Sequence, residues 1–170
     1  MLNTRINLVP FDMTYLNDYF NGFSEDVTRF QWPEPFESIE DARAMLQAFL
    51  DEMARGETLL FSILSGKGDF LGSVEVHGLT GDCPELGIWI KAAAQRRGYA
   101  LEALNAVLDH VRSAYHKNSF YYEADIRNTA SIRLLRKLGE KYEIIEQGLE
   151  RVTTDSGKAL ELQGYMLKAR

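Results

Sequence analysis

At Gly98 the apolar rhythm of the chain changes from every second residue to about every 3.6 residues. Upstream, Glu85 to Lys91 reads as a strand. Downstream, Leu101, Leu104, Val107, Leu108, Val111 and Tyr115 fall on one side of a helix, with Glu102, Asn105, Asp109 and Arg112 on the other. Phe120 to Arg127 alternates again, which predicts Phe120, Tyr122, Ala124 and Ile126 on one face and Tyr121, Glu123, Asp125 and Arg127 on the opposite one. Strand, helix and strand in that order form a crossover that is right-handed with parallel outer strands. The chain must enter that helix through the loop Gln95-Arg96-Arg97-Gly98-Tyr99-Ala100.

The remaining segments build outward from this unit. Arg5 to Phe11 reads as a short first strand ended by Pro10, and Asp12 is placed to cap a helix carrying Leu16, Tyr19, Phe20 and Phe23, with Gly22 near its end. Trp32-Pro33-Glu34-Pro35 predicts a loop, because each proline lacks an amide donor and restricts the residue before it. Ser38 opens a second helix with Asp41 in an approximate capping box and Ala42, Met45, Leu46, Phe49 and Met53 as its stripe, ending before Gly56. Thr58 to Leu64 and Phe70 to His77 read as strands joined by Gly66-Lys67-Gly68-Asp69, whose glycines are expected at positive φ; the turn Gly78 to Pro84 leads into Glu85 to Lys91. After the crossover, Asn128 is placed to cap a helix with Ile132, Leu134, Leu135 and Leu138 buried and Gly139 at its end. Two last strands, near Glu143 to Gln147 and Leu160 to Leu167, flank the turn Asp155-Ser156-Gly157. The expected fold is α/β: a mixed, mostly antiparallel sheet of six to seven strands with helices on both faces.

Composition bounds the partners. The 170 residues, 45% of them hydrophobic, suit one domain over residues 1–170, without internal repeat or linker. No stretch approaches the roughly 18 apolar residues of a membrane span, and the run after Met1-Leu2-Asn3-Thr4-Arg5 is too short for a secretory signal, so a cytoplasmic protein is expected. A lone cysteine, Cys83, excludes an internal disulfide and a multi-cysteine metal site. The net charge of −6 argues against a nucleic-acid partner. His77, His110 and His116 lack metal-ligand spacing, and no metal is expected. Gly66-Lys67-Gly68 falls short of a P-loop, and the loop at Gly98 lacks the full dinucleotide fingerprint.

A strand running through a glycine turn into a helix presents unpaired backbone amides at the positive end of the helix dipole, which suits a pyrophosphate. Gly98 permits close approach, Ala100 keeps the first turn slim, and Arg96 and Arg97 can offer charge-assisted bonds. Gln95 to Ala100 resembles the Gln/Arg-x-x-Gly-x-Gly/Ala motif of the GNAT superfamily of N-acetyltransferases. Asn128-Thr129-Ala130-Ser131-Ile132-Arg133-Leu134-Leu135-Arg136-Lys137-Leu138-Gly139 is similar to the Asn-x-x-Ser-x-x-Leu-Leu-x-x-Leu-Gly stretch of its ribosomal-protein N-terminal branch. With the matching order of elements, the resemblance covers nearly the whole chain.

The resemblance implies acetyl-CoA as cosubstrate, held by Arg96, Arg97, Gly98, Tyr99, Ala100 and Leu101, and an amine as acceptor. It implies that the strand before the loop splays at a bulge, so that the backbone of Ile88, Trp89 and Ile90 holds the pantetheine arm and polarises the thioester. Asn128 would bond the pantetheine or a water, cap its helix, or do both. An α-amino group titrates near about 8 and a lysine near about 10, so a proton must leave before attack. Glu85 and Glu123 are the candidate bases, with Glu150 behind them. The tyrosine many members carry seven residues after the asparagine is replaced by Leu135, which leaves Ser131 as the candidate donor to the thiolate. Glu140 stands where relatives usually have phenylalanine. Phe30, Trp32 and Phe36 are candidates for an acceptor cleft or for the core. A CoA-binding regulatory or interaction module without turnover is the alternative reading, and a homodimer is left open.

Overall fold

Side-chain caps set where the first helices begin. The Asp12 carboxylate accepts from the Thr14 amide at 2.7 Å, and a 3-10 turn (Met13–Tyr15) leads into α1 (Leu16–Gly22). Phe23 lies just past this helix and is buried with it. A short helix, α2 (Glu25–Thr28), follows where only a loop is expected. Ser38 accepts from the Asp41 amide at 3.1 Å at the head of α3 (Ile39–Ala54). The Ser38 hydroxyl donates to the Asp41 carboxylate at 2.8 Å, so Asp41 engages the hydroxyl instead of completing a capping box on the Ser38 amide.

The computed structural model describes residues 5–170, so Met1–Thr4, weighed above as a leader, lie outside the described residues. The strands are β1 (Ile6–Pro10), β2 (Thr58–Ser65), β3 (Phe70–His77), β4 (Glu85–Ile90), β5 (Ser119–Asp125), β6 (Tyr142–Thr153) and β7 (Ala159–Ala169). They form a seven-stranded sheet in the order β1-β2-β3-β4-β5-β7-β6. Among the described residues only the β4–β5 pairing is parallel. Helix α4 (Tyr99–Tyr115) makes the crossover between them, and α5 (Thr129–Leu138) follows β5.

Strand alternation sorts the core into two layers. On one face Trp89, Leu60, Leu64 and Phe70 pack with Tyr19, Phe23, Ala42 and Leu46 from the α1–α3 side. On the other, Val74, Val76, Leu86, Ile90, Phe120, Tyr122 and Ala124 pack against Leu104, Leu108, Leu135 and Leu138 of α4 and α5. Glu140 is exposed, and the aromatic that fills this end of the core is Tyr142, edge-on to Phe120 at 6.1 Å.

Four expectations are corrected. Gly68 has φ +91, whereas Gly66 is not in the left-handed region. β6 is much longer than its apolar run, continuing to Thr153 because its polar residues beyond the register shift between Glu146 and Leu149 still pair with β7, which itself extends only slightly past Leu160 to Leu167. β5 stops at Asp125, so Ile126 is exposed at 44%. Asp125 is instead buried, its carboxylate accepting from the Arg127 side chain and from the Arg127 and Glu161 amides at 2.8–2.9 Å. The Arg127 guanidinium holds the Asp125 carboxyl down at about 2.

Candidate active site

β4 and β5 pair at only two positions, Glu85 with Tyr121 and Leu86 with Tyr122, and separate beyond them. The separation needs no bulge in β4, whose register with β3 runs unbroken from Glu85 to Ile90; this corrects the expected cause of the splay. Lys91 N–H donates to Leu71 O at 2.8 Å. By antiparallel alternation Trp89 then also directs its backbone toward β3, while Ile88 and Ile90 turn theirs toward the gap. The Ile90 carbonyl accepts from the Gln95 side chain at 3.0 Å, which ties the following loop to the strand end. Trp89 contributes bulk, 4% exposed and edge-on to Tyr19 at 4.9 Å.

A cleft of about 310 Å3 opens at this gap, lined by residues that include Glu75, Glu85, Gly87, Ile88, Tyr122, Glu123, Asn128 and Ser131. Strand register divides its walls. Glu75 faces Gly87 and His77 faces Glu85 across β3–β4, and Glu123 lies two residues from Tyr121, so all of these share the α1–α3 face. Tyr122, Leu86 and Ile88 lie on the α4–α5 face, where Asn128 and Ser131 begin α5. The gap is where the two faces meet.

On the acidic side, Glu123 accepts from the Tyr121 phenol at 3.0 Å. Desolvation pushes the Glu85 carboxyl up, and the Glu123 and Glu75 charges push the same way against the opposing pull of His77. Glu75 was absent from the sequence candidates, since a glutamate between Val74 and Val76 reads as a solvated strand position. Its neighbour held the signal: a Cβ at Gly87 would lie 2.7 Å from Glu75 Cγ, so the glycine opens the space Glu75 occupies. His77 Nε2 lies 2.9 Å from Glu75 Oε2, and this bond outweighs desolvation to push the imidazole up. Glu150 does not line the cleft.

On the other side, Asn128 Oδ1 accepts from the Ser131 amide at 3.1 Å, so the capping role is present. The Ser131 hydroxyl contacts the Tyr122 phenol at 2.5 Å. Leu135 is 3% exposed and packs into the core. Phe30 and Trp32 line the cleft mouth, Trp32 being 68% exposed, while Phe36 packs against Phe23 at 5.5 Å. Lys158 ties this loop to the β6–β7 turn by donating to Thr28 O at 3.0 Å and Gln31 O at 2.8 Å.

The loop from Gln95 to Gly98 is exposed and stands apart from the cleft lining. Arg96 at φ +62 and Gly98 at φ +84 both take left-handed backbone, curling the chain into α4. The first helical bond is Glu102 N–H to Gly98 O at 3.2 Å, which leaves the amides of Tyr99, Ala100 and Leu101 at an open helix end. Ala100 and Leu101 are half-buried. Arg5 is a further contributor that sequence reading missed: it donates to Arg97 O at 2.7 Å, pairs with Glu102, and stacks 5.0 Å over Tyr99. Nothing local in the sequence links Arg5 to a loop more than 90 residues away.

No group of three His, Cys, Asp or Glu among the described residues is arranged to hold a metal ion. No helix among them is long and apolar enough to cross a membrane. Burial pushes the Cys83 thiol up, which disfavours its thiolate.

A mixed seven-stranded sheet opened between parallel neighbours is the acyltransferase fold of several solved structures. The spermidine N-acetyltransferase of Vibrio cholerae, in complex with CoA and spermine, superposes with TM-score 0.81 at 17% identity, covering 98% of this chain and 97% of that one. RimL, a ribosomal L7/L12 α-N-protein acetyltransferase in complex with coenzyme A, gives 0.83 at 16% identity, covering 99% and 97%. A crystal structure described as a putative acetyltransferase gives 0.78 at 22%, covering 98% and 84%. The family model of the GNAT acetyltransferase domain matches residues 5–141, and the chain belongs to that family. No curated protein matches the sequence.

Proposed function

We propose that the protein is a single-domain enzyme that transfers an acetyl group from acetyl-CoA to a primary amine by direct attack. The observation that carries this reading is the gap between β4 and β5, which joins an α5 wall bearing Asn128 and Ser131 to a wall bearing Glu75, Glu85 and Glu123. Arg96, Arg97 and the amides of Gly98, Tyr99, Ala100 and Leu101 take the pyrophosphate at the α4 terminus. The pantetheine arm runs along the free backbone of Ile88 and Ile90, with Asn128 beside it. One of these strand amides faces the oxygen that becomes negative as the amine attacks.

Glu85 is the first choice of base. It stands at the cleft, and its raised pKa brings a carboxylate closer to the proton it must take through water. Glu123, held by Tyr121, is the second. Ser131 hydrogen-bonds to the sulfur as the thiolate leaves. The acidic wall suits a cationic acceptor, whether a peptide N-terminus or a small amine such as a polyamine. The test is thiol release from acetyl-CoA with spermidine, amino acids, and peptides beginning with Ser and Ala. Turnover with at least one of these, lost in Glu85→Gln or Glu123→Gln, is expected. Tight CoA binding without turnover on any amine would overturn the proposal in favour of a binding module.

A further inference from the structure

The Ser131 hydroxyl carries one proton and stands beside a second hydroxyl, the Tyr122 phenol, at 2.5 Å. Which group donates decides what Ser131 can do for a ligand. If Ser131 gave its proton to the phenol, it would have none for the cleft. If the phenol donates, the serine proton is left over and the serine oxygen is polarised by the bond it accepts. We infer that Tyr122 is a positioning residue: its phenol donates to Ser131 Oγ and so turns the serine proton toward the departing sulfur of the thioester. This rests on the reading of Ser131 given above.

Three observations support that role. Both residues line the cleft, at the gap between β4 and β5. The Tyr122 ring is 3% exposed and packed on the α4–α5 face, so its hydroxyl is held where it is. Desolvation pushes the phenol up to about 12, with the Ser131 bond opposing, and it therefore remains a protonated donor through the neutral and alkaline range. Leu135, an apolar residue buried in the core, offers no competing donor from α5.

The chemistry balances without a proton leaving Tyr122. The amine nitrogen forms its bond to the acyl carbon, the C–S bond breaks, and its electron pair moves to sulfur. The nitrogen loses one proton to the carboxylate side. The sulfur gains one from water after release, and until then shares the serine proton in a hydrogen bond.

A double-mutant cycle tests this, with acetyl-CoA and the acceptor of the panel that turns over best. Tyr122→Phe keeps the ring and removes only the hydroxyl, and should lower kcat about 10-fold with the KM for acetyl-CoA nearly unchanged. Ser131→Ala should lower kcat by at least as much. In the Ser131→Ala background, Tyr122→Phe should then change kcat less than about twofold, because the group it positions is gone. Ser131→Thr, which keeps a hydroxyl, should recover activity only while Tyr122 is present. Equal losses in both backgrounds, or unchanged kcat in Tyr122→Phe alone, would overturn the role of Tyr122 and leave that of Ser131 standing. Unchanged kcat in Ser131→Ala would remove both. Near-ultraviolet dichroism and CoA calorimetry on each variant separate these outcomes from loss of fold, and should Tyr122→Phe not fold, the Ser131→Ala and Ser131→Thr pair still tests the role of the hydroxyl on which the inference rests.

Discussion

Glu75 Oε2 and His77 Nε2 lie 2.9 Å apart on one face of β3, joined across the single residue Val76 whose side chain points the other way into the core. Glu75 lines the cleft, and His77 behind it gives that acidic wall a pH dependence. Glu75, Glu85 and Glu52 all favour the imidazolium, so His77 titrates above its ordinary value of 6.5 in the folded protein. Its stabilising contribution is complete below that unfolded value and is lost as pH rises through the folded one. His77→Gln should therefore lower stability more at about pH 6 than at about pH 9. Urea midpoints at the two pH values check this; a difference that grows with pH would contradict the pairing.

Gly87→Ala probes the same wall. Its Cβ would meet Glu75 Cγ at 2.7 Å and Oε1 at 3.0 Å, and a flexible side chain can swing away. The fold should survive with a loss of about 1 kcal/mol. The KM for the amine should rise roughly 10-fold while that for acetyl-CoA stays constant, as steady-state kinetics on both substrates would show.

Gly72→Ala should behave differently. Its Cβ would fall 2.1 Å from Trp89 O and 2.9 Å from Ile90 Cα, and backbone in the middle of a sheet cannot yield. A loss of at least about 3 kcal/mol, with β4 disturbed beside the gap, is expected from thermal denaturation.

At the head of α4, Gly98→Val forces a β-branched residue to φ +84 with the Arg5 guanidinium 3.1 Å from its Cβ. The strain costs about 1–2 kcal/mol. CoA affinity by calorimetry should fall at least about 10-fold. Unchanged affinity would show that the α4 terminus is not the phosphate site.

Asp125→Ala removes a buried carboxylate that accepts from Arg127 and from the Glu161 amide. A cost of about 2–3 kcal/mol is expected, softened because Arg127 regains water. In the wild-type protein the Asp125 carboxyl is depressed to about 2 from 3.8, so its contribution is present above the higher value and is lost as pH falls through the lower. Acid titration of wild type and variant should therefore converge near pH 2.

Much of the fold was legible because its signals are local. The capping side chains of Asp12, Ser38 and Asn128, the turn at Gly68 and the change of period at Gly98 each act within a few residues. Glu85, Glu123 and Asn128 were singled out as candidates from a motif and a strand pattern, and the fold brings all three to the lining of one cleft. The misjudged residues are those whose environment comes from far along the chain. Asp125 looks like a solvated strand carboxylate until the Glu161 amide arrives from β7, 36 residues on. Arg5 looks like a leading charge until the fold lays it against Arg97. Periodicity and capping are written in neighbouring side chains, so the sequence by itself determined most of the elements, their order and the glycine turn that enters α4. The gap between β4 and β5, the glycine window for Glu75 and the Tyr122–Ser131 contact were decided only by tertiary structure, because each depends on the register in which separate strands and a helix meet.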